Sequence, residues 1–175
     1  MSPFSDKLIE DASYILASAR AKGAMIATVE SCTGGLVAAL LTEIAGSSAV
    51  VDCGFVTYSN EAKASLVGVP QNLLDAHGAV SEPVARAMAE GALAHSRATL
   101  AVSITGVAGP GGGSAAKPVG LVHFACASKG RETVAVEHRF GDIGRSAVRL
   151  ESVSVALKLL REALDGQPEA GSPGP

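Results

Sequence analysis

MIATVESCTGGL, residues 25–36, is the segment around which the rest of the chain can be arranged. Its first part, 25–29, is apolar and rich in β-branched side chains, which is typical of a buried strand. A helical pattern follows residues 30–35, so those six residues predict a tight turn from strand to helix. The first N–H groups of a helix lack intrahelical partners and carry the positive end of the helix dipole. The turn therefore predicts a site for negative charge, with the hydroxyl of Ser31 beside it.

Strands alternate with amphipathic helices along the rest of the chain. We expect helices over 5–21, 36–45, 61–66, 81–95 and 142–164, and strands over 24–29, 49–57, 98–104, 119–127 and 132–139. This alternation is typical of an α/β protein, here a three-layer αβα sandwich. The two consecutive late strands predict a hairpin, and hence a mixed, mostly parallel central sheet. In the last helix, apolar spacings of three and four predict a buried face that includes Ile143 and Leu150.

The composition bounds the class of protein. With 47% hydrophobic and 18% charged residues in 175, the chain fits one compact domain, expected over 1–165, with a disordered tail over 166–175. Fourteen Lys and Arg against seventeen Asp and Glu, without a cationic stripe, argue against nucleic-acid binding. The apolar runs are far shorter than the ~20 residues that span a bilayer, and the amino terminus does not resemble a secretion signal. We therefore expect a cytoplasmic protein that acts on a small molecule.

The cysteines and histidines give no sign of a metal site. The three cysteines have no CxxC spacing, and the four histidines lack the spacing of metal ligands. We therefore expect reduced thiols and no metal or other cofactor. No histidine stands out as a general base either.

Polar side chains follow three of the predicted strands. Ser31, Tyr58 and Thr105 each come where a strand ends, which is where open α/β sheets bind ligands. A serine hydroxyl needs a base to become a nucleophile, and the candidate is Lys63, acting directly or through Tyr58. Since an ordinary lysine is protonated at neutral pH, Lys63 must be desolvated or lie near positive charge. Backbone N–H groups at the helix start or in the glycine-rich loop 105–113 could stabilise the oxyanion of acyl transfer to water.

Each candidate also has a purely structural interpretation. Ser31 can cap a helix, most lysines are solvated, and a tyrosine at a strand end usually packs. Cys32 is the competing nucleophile, because a helix start lowers the pKa of a thiol. Arg145 falls in the first turn of the last helix, where a cation opposes the dipole. It is either a phosphate ligand or a solvent-facing arginine paired with Asp142 or Glu151.

Five motifs, taken together and in order, resemble the CinA carboxy-terminal domain family. They are ESCTGG at 30–35, FVTYSNEAK at 55–63, HGAVSEP at 77–83, TGVAGP at 105–110 and KPVG at 117–120. The resemblance extends from about residue 5 to residue 164. It implies a metal-free amidohydrolase of pyridine nucleotide salvage that converts nicotinamide mononucleotide to nicotinic acid mononucleotide and ammonia. The chain resembles the stand-alone form, without the amino-terminal nucleotide-hydrolase domain of many members, and a homo-oligomer is implied.

The resemblance also implies roles for individual residues. Ser31 matches the family's nucleophile, and Tyr58 and Lys63 match residues that assist proton transfer. Ribose and phosphate are expected to contact residues matching Thr33, Gly34, Asn60, Thr105, Gly106 and Arg145. Two other functions stay open. One is a non-catalytic nucleotide-binding or regulatory module built on the same glycine-rich turns, and the other is an amidase that acts on a different amide.

Overall fold

Five strands form one sheet in the computed structural model, which describes residues 2–167. The strands are β1 Ile26–Glu30, β2 Val51–Val56, β3 Leu100–Gly106, β4 Leu121–Ser128 and β5 Val134–Arg139. The helices are α1 Asp6–Ala21, α2 Leu36–Glu43, α3 Asn60–Val67, α4 Gln71–His77, α5 Glu82–Ala94 and α6 Arg145–Asp165. Within the described range, no helix is both long enough and apolar enough to cross a membrane.

The strand order of the sheet is β2-β1-β3-β4-β5. Strand β1 is parallel to both of its neighbours, whereas β4 is antiparallel to β3 and to β5. Four of the five strands therefore run in one direction, which confirms the α/β class, the mixed sheet and the late hairpin. Glu30, at the end of β1, is in register with Val56 of β2 and Ile104 of β3. The residues that follow these three strands therefore meet at one edge of the sheet.

Helices cover both faces of the sheet, as a three-layer sandwich requires. On one face α1, α2 and α6 pack against large side chains such as Val102 and Phe124. On the other face, α5 packs against alanines of β3 and β4, and the hydroxyl of Ser103 donates to its backbone. Gly91 of α5 touches the end of α3, because a Cβ at this position would lie 1.9 Å from the carbonyl oxygen of Val67. These small residues allow α5 to approach both the sheet and α3 closely.

The structure differs from the sequence-based expectations in two details. Helix α4 was not predicted. Ile143 and Leu150 were predicted to be buried, but they are 51% and 43% exposed. Ile143 precedes the helix, and Leu150 lies two residues, about 200° around the helix axis, from the buried Val148. The predicted tail falls, from residue 168 onward, outside the described residues.

Candidate active site

The turn after β1 and the helix after β2 bring Ser31 and Lys63 into direct contact. The Ser31 N–H donates to the carbonyl of Ile104 at 2.9 Å, which fixes the start of the turn against β3. Lys63 Nζ lies 3.1 Å from Ser31 Oγ and 2.8 Å from the carbonyl oxygen of Thr57. The Ser59 hydroxyl accepts the N–H of the third residue of α3 and so fixes the helix that carries Lys63. The residues predicted as nucleophile and base are thus hydrogen-bonded.

Lys63 is buried to an unusual degree for a lysine. Only 1% of its surface is exposed. Burial lowers the pKa of the Lys63 amine, because the ammonium form loses its hydration. Its hydrogen-bond partners are a hydroxyl and a peptide carbonyl, and neither is a carboxylate that would restore the charged form. More of the amine is therefore neutral at physiological pH, the form that can accept a proton from Ser31.

A buried carboxylate occupies the start of α2. Glu30 is fully buried, and its two oxygens accept backbone N–H groups of Gly35, Val37 and Ala38 at 2.9–3.1 Å. The expectation of an open anion site at this helix start is therefore wrong, because the anion is a side chain of the protein itself. Gly35, which precedes α2, has no side chain that could cap the helix. An acidic residue just before a strand-to-helix turn was the available sequence signal for this role.

Arg149 holds the same turn from the outside. Its Nε and Nη2 atoms donate to the carbonyl oxygens of Cys32 and Thr33 at 3.2 and 3.0 Å. Arg149 lies in α6, more than a hundred residues away along the chain. Sequence patterns carried no signal for this contact.

Cys32 is not set up as a nucleophile. Only 6% of its surface is exposed, and burial raises the pKa of its thiol to about 11. The nearby charge of Glu30 raises the pKa further. The expected lowering by the helix start is therefore wrong, because the thiol is desolvated and Glu30 neutralises the helix end. At neutral pH the group is a thiol, which is the unreactive form.

Six of the nine predicted site residues line one cleft of about 300 Å³. They are Ser31, Tyr58, Lys63, Thr105, Gly106 and Arg145. The remaining wall comes mainly from residues 79–80 and from the glycine-rich loop after β3. A larger groove of about 480 Å³ lies between α1 and α6, but its lysines are largely exposed rather than desolvated.

The other three predicted residues are outside the wall of this cleft. Thr33 is fully buried, and its hydroxyl has no hydrogen-bond partner among the described residues. Gly34 has a φ of 60° and faces the guanidinium of Arg149. Asn60 is exposed at the first position of α3. Contacts of these three residues with a substrate stay a prediction.

Thr105 and Gly106 shape the floor of the cleft. The Thr105 hydroxyl donates to the carbonyl of Ala79 at 2.8 Å, which ties the end of β3 to the loop before α5. A Cβ on Gly106 would lie 2.7 Å from a Val122 methyl and 2.8 Å from the Leu121 carbonyl oxygen, so β4 passes too close for any other residue.

Arg145 and Tyr58 meet at the mouth of the cleft. Arg145 donates to the Tyr58 hydroxyl at 3.1 Å and to the carbonyl oxygen of Gly109 at 2.8 Å. Within residues 2–167 it forms no ion pair with Asp142 or Glu151. Tyr58 is 61% exposed, and its hydroxyl contacts Arg145 rather than the serine–lysine pair. A proton relay through Tyr58 therefore stays a prediction, while the positive charge of Arg145 is available to a ligand.

Comparison with known proteins identifies the family. The chain matches the model of the CinA C-terminal domain over residues 9–164. It is 55% identical to the nicotinamide-nucleotide amidohydrolase PncC of Escherichia coli K12, over 81% of this chain and 85% of that protein. It is also 55% identical to a CinA-like protein of Anaeromyxobacter dehalogenans, over 86% of this chain and 36% of the relative. The chain thus spans about a third of the length of such CinA-like relatives.

The same relationship is visible among solved structures. The competence/damage inducible protein CihA from Agrobacterium tumefaciens superposes with a TM-score of 0.91 at 53% identity, covering 94% of this chain and 99% of that one. A CinA superfamily protein from Escherichia coli superposes with a TM-score of 0.85 at 32% identity, covering 93% and 94% of the two chains. With the family model matched along nearly its whole described length, the chain belongs to the CinA C-terminal domain family.

Proposed function

We propose that this protein is a nicotinamide-nucleotide amidohydrolase, which hydrolyses nicotinamide mononucleotide to nicotinic acid mononucleotide and ammonia in pyridine nucleotide salvage. The observation that carries the proposal is the buried amine of Lys63 in hydrogen-bond contact with Ser31 Oγ inside a cleft. The relative PncC, named for this activity and similar over most of both chains, supports the choice of substrate.

The serine–lysine pair carries both halves of the reaction. Neutral Lys63 accepts the proton of Ser31 as Oγ bonds to the carboxamide carbon, and the carbonyl oxygen becomes an oxyanion. When this intermediate collapses, the C–N bond breaks, and the Lys63 ammonium protonates the leaving nitrogen to release ammonia. Water, deprotonated in turn by Lys63, then attacks the ester, and Ser31 recovers its proton as the acid is released.

The mouth of the cleft suits the phosphate of the nucleotide. Arg145 is the first residue of α6, which begins after Gly144 without a capping side chain and has no acidic residue in its first turn. The unpaired N–H groups of this helix start and the guanidinium therefore attract the same anion. Since Glu30 already fills the start of α2, the start of α6 is the better phosphate site of the two.

Ammonia release from nicotinamide mononucleotide by the purified protein tests the proposal. Ser31→Ala should abolish turnover, because the nucleophile is gone, while the dissociation constant for the nucleotide stays near that of the unmodified protein. Cys32→Ala is the matched control, since its thiol is protonated and buried beside the same turn, and it should retain turnover. Ammonia release by Ser31→Ala at the unmodified rate would contradict the assignment of the nucleophile.

The same assay separates the other two functions. Tight binding of several pyridine nucleotides without ammonia release would favour a non-catalytic binding module. Ammonia release from other amides, but not from nicotinamide mononucleotide, would favour an amidase of different specificity. Self-association, which the family resemblance implies, stays a prediction that sedimentation of the same preparation tests.

A further inference from the structure

Arg149 contacts the turn that carries Ser31 but not the cleft. Its guanidinium reaches two successive carbonyls, those of Cys32 and Thr33, and the wall of the cleft does not include it. It lies one helical turn after Arg145 on α6, so the two arginines reach the site from the same side of that helix. Any effect of Arg149 on the reaction must therefore be transmitted through the turn.

The two hydrogen bonds fix the direction of two peptide groups. In a trans peptide the C=O and the N–H point in opposite directions. With the carbonyls of Cys32 and Thr33 drawn towards Arg149, the N–H groups of Thr33 and Gly34 must point away from it. The Gly34 N–H accordingly points back into the turn, where it donates to the Ser31 carbonyl oxygen at 3.0 Å.

The first two N–H groups after the nucleophile have no backbone acceptor in the turn. Among residues 2–167, the Thr33 N–H donates to no protein acceptor and the Cys32 N–H contacts only its own thiol, whereas Glu30 takes the N–H groups of Gly35, Val37 and Ala38. An N–H beside the nucleophile is a usual donor to the oxyanion in serine hydrolases. We propose that Arg149 is a positioning residue that holds the peptide groups after Ser31 so that the N–H groups of Cys32, which lines the cleft, and of Thr33 face the oxyanion.

This role requires the shape of arginine as well as its charge. The planar guanidinium presents several N–H groups in a fixed fork, which fits two neighbouring carbonyls at once. A Cβ on Gly34 would meet Arg149 Nη2 at 3.6 Å, so the guanidinium lies directly against the turn. A lysine could reach one carbonyl but could not hold both peptide groups in place.

The inference rests on the proposed function, and a split between kcat and KM tests it. Arg149→Met should lower kcat for nicotinamide mononucleotide by about 10- to 100-fold, since losing one oxyanion donor costs ~10²–10³ in rate and the turn keeps its remaining contacts. KM should change by less than about threefold, because Arg149 does not touch the substrate. Arg145→Met should show the opposite split, and the exposed Arg161→Met should match the unmodified protein.

Two further measurements distinguish positioning from loss of fold. Guanidinium ions added to Arg149→Ala should restore part of kcat, because they can occupy the vacated space, and they should not activate Arg161→Ala. Arg149→Lys keeps the positive charge and most of the aliphatic part of the side chain. It replaces the other two variants in the test if they do not fold, and its kcat should still be reduced. Unmodified kcat in Arg149→Lys or Arg149→Met would overturn the inference. A protein with no turnover before any substitution would instead overturn the proposed function.

Discussion

At the scale of the residue, Lys63 makes the reaction depend on pH in a definite direction. Below its folded pKa the amine is protonated and cannot accept the Ser31 proton, and above that pKa it can. Burial lowers this pKa below the ordinary lysine value. We therefore expect kcat/KM to rise with pH through an apparent pKa below that of an exposed lysine, and then to level off. A pH–rate profile of the unmodified protein checks this.

The control for this profile is a variant that cannot lose its proton in the same range. Lys63→Arg stays protonated throughout, since the pKa of arginine exceeds ~12, and it should have little activity at any pH. A profile that is flat across the neutral and alkaline range, in an otherwise active protein, would exclude Lys63 as the base.

Glu30 gives a prediction about stability rather than chemistry. Glu30→Gln keeps the size of the side chain but replaces one accepting oxygen with an NH2 group, which cannot accept the N–H groups of α2. Leaving buried N–H groups without acceptors costs ~1–3 kcal/mol each. The free energy of unfolding, measured with urea, should fall by at least that much. Glu43→Gln, exposed at the other end of α2, should change it by less than ~0.5 kcal/mol.

At the scale of the element, the position of α3 depends on its contact with α5. Gly91→Ala places a methyl group against the Val67 carbonyl at the end of α3. With room available, glycine to alanine in a helix stabilises by up to ~1 kcal/mol. Because there is no room, we expect a loss of ~1–3 kcal/mol in the free energy of unfolding, and lower activity since α3 carries Lys63. A gain in stability would show that the two helices separate easily.

The sequence predicted most of these elements because their patterns are local. Hydrophobic runs mark the strands, and spacings of three and four mark the faces of α1 and α6. Helix α4 is only seven residues long, with Leu74 as its single fully buried side chain, so it has too few turns for a period to appear. The exposure of Leu150 shows the converse limit, because apolar residues can also lie on the outer face of a helix.

At the scale of the whole molecule, the sheet explains which parts of the site could be foreseen. Ser31 and Lys63 follow neighbouring parallel strands, so the rule that ligands bind at strand ends was enough to bring them together. Arg149 acts on backbone groups far away along the chain, which carry no residue-specific pattern. The reversal of the expected pKa shift of Cys32 also depended on burial, which is a property of the assembled protein. Contacts between side chains and distant backbone were therefore missed.

The position of β2 in the sheet affects how the protein loses activity on heating. Strand β2 is at the edge and pairs only with β1, yet the loop and helix after it hold Lys63 next to Ser31. An edge strand opens more readily than the central strands, since it has one neighbour instead of two. Fraying of β2 would separate base from nucleophile while β1, β3, β4 and β5 remain paired. Local opening that separates Lys63 from Ser31 thus requires less free energy than unfolding of the whole protein.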